Sequence, residues 1–263
     1  MATAVLSPIV LGSFSYKRES NPDAGSGPIG RAASVGSTAL GTYYALSAMK
    51  EFNEVLGGSQ AIGSMAGTSA QVMQLPRAIE ASRDAFRGWQ NLRVDNPNAE
   101  QLHRRVLAAT KDTADAVSNY TGNAAFIAKH VLNAPGPAQT FTNVSTCFSL
   151  VDDTIGGRIH GENMIRAGHL AQEARNQQAP ADTVNAFVYT QRYSLISLCK
   201  AVVSVALGII AVWGMLFKAT MVSALALSCL APALGLWALL YRASMPSKPI
   251  DMHNYTEVKP KTA

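Results

Sequence analysis

The sequence predicts an all-α protein: a helical bundle followed by a two-span transmembrane helical hairpin. Three observations carry that expectation. Near the C-terminus stand two apolar lobes, Ala201–Phe217 and Ala219–Tyr241, of 17 and 23 residues without a charge and separated by Lys218 alone. A bilayer core takes about 20 apolar residues as a helix, so the lobes are long enough to cross, and so short a turn folds them back to back. Ahead of them, from 31 to 192, apolar residues recur at spacings of three and four in segments closed by glycine, proline or asparagine. No stretch alternates as a strand would, and there is no tandem repeat. The expected organisation is an unstructured leader over 1–30, a cytosolic helical bundle over 31–192, the hairpin over 193–243 and a cytosolic tail over 244–263. The same lobes would also suit the buried core helices of a soluble protein, and that alternative stays open on sequence alone.

The leader mixes Ser, Gly, Pro and Asn without periodicity, and Asn21–Pro28 has the composition of a linker. The first helix is expected over Arg31–Leu56, with a stripe of Leu40, Tyr43, Tyr44, Ala48 and Phe52 closed by Gly57-Gly58. Ser59–Gln74 reads as a weak helix of small residues. Pro76 suits the first turn of the next, which runs to about Val94 through Ile79, Phe86 and Trp89. Asn96-Pro97 reads as cap and first residue of a long helix, with Glu100 at its positive end. Along it Val106, Ala109, Thr113, Val117, Tyr120, Ala124, Ile127 and Val131 form a narrow seam, the width of a bundle or coiled-coil contact. This seam is the candidate partner surface. Asn133–Pro137 stops the helix. Thr140–Ile155 is apolar with a Thr/Ser face and is expected to end at Gly156-Gly157. Arg158–Gln178 then forms a separate amphipathic helix, and Pro180 opens the segment leading to the first span.

Within the hairpin, small residues recur in both lobes: Ala201, Ser204, Gly208, Ala211 and Gly214 in the first, Ala224, Ser228, Ala231, Gly235 and Ala238 in the second. Lipid gives no hydrophobic drive for helix association, so close backbone approach must supply it, and small residues permit that. The spans are expected to pack on each other or on copies of themselves. The alternative is that Ala and Gly are simply common in membrane helices. Pro232 is placed to kink the second span. Arg192 and Lys200 precede the hairpin, and Arg242, Lys248, Lys259 and Lys261 follow it. Basic residues stay cytosolic, so both termini are expected on the cytosolic side of an integral membrane protein.

Composition narrows function further. Only 15% of the 263 residues are charged, against about a quarter in a typical soluble domain. The net charge of +5 comes from scattered residues, without the basic stripe and interleaved aromatics of nucleic-acid binding. Cys147, Cys199 and Cys229 are odd in number and widely spaced, so neither a disulfide framework nor a zinc pattern follows. The N-terminus lacks a Sec signal, because Lys17 and Arg18 follow the mildly apolar stretch instead of preceding it. There is no P-loop, dinucleotide fingerprint, zincin or nucleophile-elbow motif. The densest polar group is Asp152, Asp153, His160, Glu162, His169 and Glu173. Its spacings match no common metal pattern, so it reads as a solvated helix face. No catalytic residue, metal or cofactor is expected. The sequons at Asn119, Asn143 and Asn254 have no meaning on a cytosolic segment.

The late bilobed block, a Ser/Gly-rich leader without a Sec signal, and both ends on one side together resemble the inclusion membrane proteins of chlamydiae. The resemblance is architectural. It makes Ala201–Phe217 and Ala219–Tyr241 the bilobed domain and residues 1–20 a type III secretion leader. It implies a virulence factor in the membrane of the pathogen's vacuole, facing host cytosol and meeting a host protein. The long soluble part before the hairpin and the lack of a SNARE-like heptad array depart from the usual pattern. The leading functional expectation is a membrane-anchored, non-enzymatic interaction protein. Its partners would be membrane lipid, a protein bound through helix faces and a second copy, with no nucleic acid. The alternative is a membrane-shaping or pore-forming hairpin protein.

Overall fold

A computed structural model of the chain describes residues 21, 27–94, 97–217, 225–250 and 252. Among these the protein is all-α, as the sequence predicts, with no strand. The helices are α1 (Pro28–Gly36), α2 (Ala39–Val55), α3 (Gln60–Val72), α4 (Gln74–Gln90), α5 (Ala99–His130), α6 (Pro135–Asn176), α7 (Ala181–Phe217) and α8 (Leu225–Ser244).

Local chemistry sets most boundaries. Pro28 opens α1, where its missing N–H is harmless. The single helix expected over 31–56 is broken, because the Thr38 hydroxyl accepts the Gly41 N–H at 3.0 Å and starts α2 afresh. Gly57, at φ +64°, closes α2 in the left-handed region that glycine enters without cost. α5 begins two residues later than the Asn96-Pro97 signal suggests. Its cap is Asn98, whose side chain accepts the Gln101 N–H at 2.8 Å while Gln101 Oε1 accepts the Asn98 N–H at 3.1 Å. The break expected at Gly156-Gly157 is absent, and α6 runs unbroken for 42 residues. Those glycines mark close approach instead: a β-carbon at Gly157 would meet Ala201 of α7 at 3.4 Å, and one at Gly156 would meet Lys111 of α5 at 3.4 Å.

Helices α4, α5, α6 and α7 pack in chain order, each against the next. α8 lies against α7 and α2, and α1 and α3 flank α2. The interior is built of alanines, with Ala78, Ala109, Ala167 and Ala174 fully buried, so backbones approach closely. Ala167 and Ala174 form one cluster with Leu170, Ala171 and Phe187, where the C-terminal part of α6 meets the N-terminal part of α7. Met252 inserts there, held where Arg166 donates to its carbonyl at 3.1 Å and the Ile250 N–H reaches the Thr190 hydroxyl at 3.0 Å. Asn21, inside the expected leader, donates to the carbonyls of Arg242, Ala243 and Met245 at 2.8–3.2 Å and so caps α8.

Helix α7 is one rod of 37 residues, about 55 Å at 1.5 Å per residue, and the 192/193 division falls inside it. α7 and α8 are both long and apolar enough to cross a membrane. Only 11% of the apolar window of α7 is covered by the rest of the protein. Val202, Ile209 and Trp213 stand 60%, 56% and 44% exposed, which is not how a soluble core helix is placed.

Candidate functional site

Six helices, α2, α4, α5, α6, α7 and α8, line a half-open cavity of about 420 Å³. Its wall is polar. From α4, Arg77 reaches Asp115 of α5 at 3.2 Å and lies over the Tyr43 ring at 4.4 Å. From α7, Lys200 reaches Asp153 of α6 at 2.6 Å. Behind them Lys111 of α5 meets Asp152 of α6 at 3.2 Å. Asn119 donates to Asp115 Oδ1 at 2.7 Å, and Ser118 donates to the Ser145 carbonyl at 3.1 Å. Gln74 Oε1 is buried without a hydrogen-bond partner among the described residues. Ser204, Gly208, Ala211, Ser228 and Ala231 complete the wall from the two apolar helices.

The electrostatics follow from a surplus of acid. Burial works against the Lys111 ammonium, yet Asp152, Asp112 and Asp115 more than offset it and hold its pKa above the ordinary 10.5. Burial pushes the Asp152 carboxyl up, and Lys111 only partly offsets that because Asp115 and Asp153 add like charge. Burial likewise raises Asp112. The two partners of one ion pair therefore differ: the lysine is held charged, while its carboxylate is not fully satisfied. Arg77 loses to burial but gains more from Asp115, and its pKa is raised.

This cluster corrects one expectation. Asp152 and Asp153 do not lie on a solvated face. Asp153 is 8% exposed, and both are tied to lysines from neighbouring helices. Glu162 does sit at the surface, paired with Arg158 at 3.0 Å, and the His160 ring stands edge-on to Tyr193. Among the described residues no grouping of His, Cys, Asp and Glu has metal-site geometry.

The expected hairpin residues are divided. Ala201, Gly235 and Ala238 are buried; Ser204, Gly208, Gly214, Ser228 and Ala231 are half-buried; Ala211 is exposed; Ala224 lies outside the described residues. α7 and α8 do pack on each other. The two glycines, however, admit third helices: a β-carbon at Gly208 would meet Leu150 of α6 at 2.9 Å, and one at Gly235 the Tyr44 ring of α2 at 2.7 Å. Ser228 donates to Glu51 of α2 at 2.8 Å. The expected seam on α5 is divided too. Ala109 is buried against Gly88 of α4, and Thr113 accepts the Trp89 indole at 3.0 Å. Val106, Val117 and Ala124 are half-buried, whereas Tyr120, Ile127 and Val131 are exposed.

No protein-family model, no curated protein and no solved structure matches the chain. The site therefore rests on its own geometry. Sequence reasoning missed Arg77, Lys111, Asp115 and Lys200 as one cluster, because their ion pairs join positions far apart in the chain. One signal was available: Asp152-Asp153 is the only charged position between His130 and Arg158, and an isolated acidic doublet in an apolar stretch needs a buried cation.

Proposed function

We propose that the chain is an integral membrane protein that acts by binding, with α7 and α8 as its anchor and its helical bundle presented to the cytosol. The observation that carries this is the uncovered apolar half of α7, together with exposed Leu230 and Trp237 on α8. Water would not leave such a surface bare, and lipid covers it without cost. Binding rather than catalysis is supported by the interior charges, which are tied in pairs. Its candidate protein surface lies on α4, where Leu75, Ile79 and Phe86 stand exposed on one face. In the setting that the inclusion-protein resemblance implies, the membrane is that of a pathogen's vacuole and the partner a host protein. The full chain should remain with phospholipid vesicles after washing with alkaline carbonate and high salt. Release into the supernatant would refute the anchor.

The cavity favours a second reading, a pore-forming or membrane-shaping protein, because residues of both apolar helices line a polar space. On that reading, the purified chain would release a trapped dye from vesicles. On the binding reading, vesicles carrying it stay sealed.

A further inference from the structure

We propose that the α5–α6 hairpin enters the bilayer beside α7 and α8, with lipid on its outward face. This rests on the reading of α7 and α8 as spans. The ion pairs Lys111–Asp152 and Lys200–Asp153, at 3.2 and 2.6 Å, place four charges in one layer at the start of the apolar half of α7. Beyond that layer the hairpin carries no charge from Ala116 to Ala128, nor from Val131 to Val151. Lys129 and His130 come only at its tip. The hairpin lies at the depth of the span: Ser118 meets Ser145 at 3.1 Å across it, and Leu150 fills the notch at Gly208. At 1.5 Å per residue, Ala116–Ala128 covers about 20 Å and Pro135–Val151 about 25 Å, against a hydrocarbon core of about 30 Å.

The outward side chains of the hairpin include large apolar ones, with Ile127, Phe141, Phe148 and Val151 exposed. Threonines and amides such as Gln139 and Asn143 hide the segment from a hydropathy reading; on α6 Gln139 donates to Asn143 one turn on at 2.8 Å. Thr121, Thr142 and Thr146 each donate to the carbonyl four residues back, at 2.7, 2.9 and 3.0 Å. A hydroxyl bonded within its own helix has little to lose in lipid. The opposite side of the molecule differs: α2 carries Lys50, Glu51 and Glu54 past the level of Ser228, so that face keeps water and lies outside the proposal.

Native thiols supply the test. Cys147 is exposed on the outward part of α6, and Cys199 is exposed at the charged layer. Three single-thiol forms of the full chain, carrying Cys147 alone, Cys199 alone or Ile209→Cys alone, are placed in phosphatidylcholine–phosphatidylglycerol vesicles and treated with a charged, water-soluble maleimide. Cys199 should react readily, and Cys147 and the Ile209→Cys thiol at least about tenfold more slowly, because lipid excludes the reagent. A photoreactive group on the lipid acyl chain should then label the tryptic peptides His130–Arg158 and Ala201–Lys218 alike. If Cys147 reacts as fast as Cys199 while the Ile209→Cys thiol stays protected, the hairpin is in water and the proposal fails alone. If the Ile209→Cys thiol reacts as well, the reading of α7 as a span fails. Protection of Cys147 without lipid labelling would mean that protein covers the face, which also overturns the proposal.

Discussion

A β-carbon at Gly235 would stand 2.7 Å from the Tyr44 ring, closer than real packing allows, so either the ring or α8 would have to move. Gly235→Ala should therefore lower stability by about 1–3 kcal/mol, the usual cost of overpacking, read as a lower melting temperature in detergent. Gly36→Ala, with open space at its β-carbon, is the control. Adding Tyr44→Ala should recover part of the loss, and independent effects of the two substitutions would deny the contact. The Lys200–Asp153 pair makes a sharper case. Asp153→Asn leaves the half-buried Lys200 ammonium without its carboxylate and should cost about 1–3 kcal/mol. Replacing both residues, Lys200→Met with Asp153→Leu, should recover most of it. The pH dependence belongs to Lys111. Its folded-state pKa lies above the ordinary 10.5, so its contribution is fully present below pH 10.5 and is lost as pH rises through the folded value. The stability gap between wild type and Lys111→Met should stay constant to about pH 10 and narrow above it. A gap that widens there would reverse the sign of the account.

At the scale of the element, the sequence was readable where signals are local. Gly57-Gly58, Pro76 and Pro180 stand where helices end or begin, and the all-α class followed from periodicity alone. It was misread where tertiary contact overrides local preference. Gly156-Gly157 looks like a stop, yet the helix continues there, with α5 and α7 packed against it. The α5 seam was legible as a stripe, but spacing alone does not say that α4 covers its first half and leaves Ile127 and Val131 bare. This gives a test on a pair of facing helices. Ala109→Asp buries an unpaired charge against α4 and should unfold the bundle, at a cost of several kcal/mol, of order 3 or more. Phe86→Asp, at a position 63% exposed on α4, should leave the melting temperature nearly unchanged. Equal effects would mean that Ala109 is not covered and Phe86 not open as described.

For the molecule as a whole, the bundle expected over 31–192 and the hairpin expected over 193–243 are joined through one helix. α7 belongs to both without a break, α8 packs on α2, and six helices share one polar cavity. Sequence reasoning separated the parts because hydropathy changes abruptly at Lys200, whereas the contacts that unite them involve small or polar residues spread over the whole chain. On the proposed reading of α7 and α8 as an anchor, this joining would fix where the bundle sits relative to the membrane. On the proposed reading α7 and α8 cross the bilayer as a hairpin, so that the chain on either side of them faces the same compartment. The most direct measurement places one epitope tag ahead of residue 1 and another after residue 263, in cells whose plasma membrane alone has been opened. Antibodies should reach both tags without further permeabilisation, and one tag accessible with the other protected would contradict the hairpin.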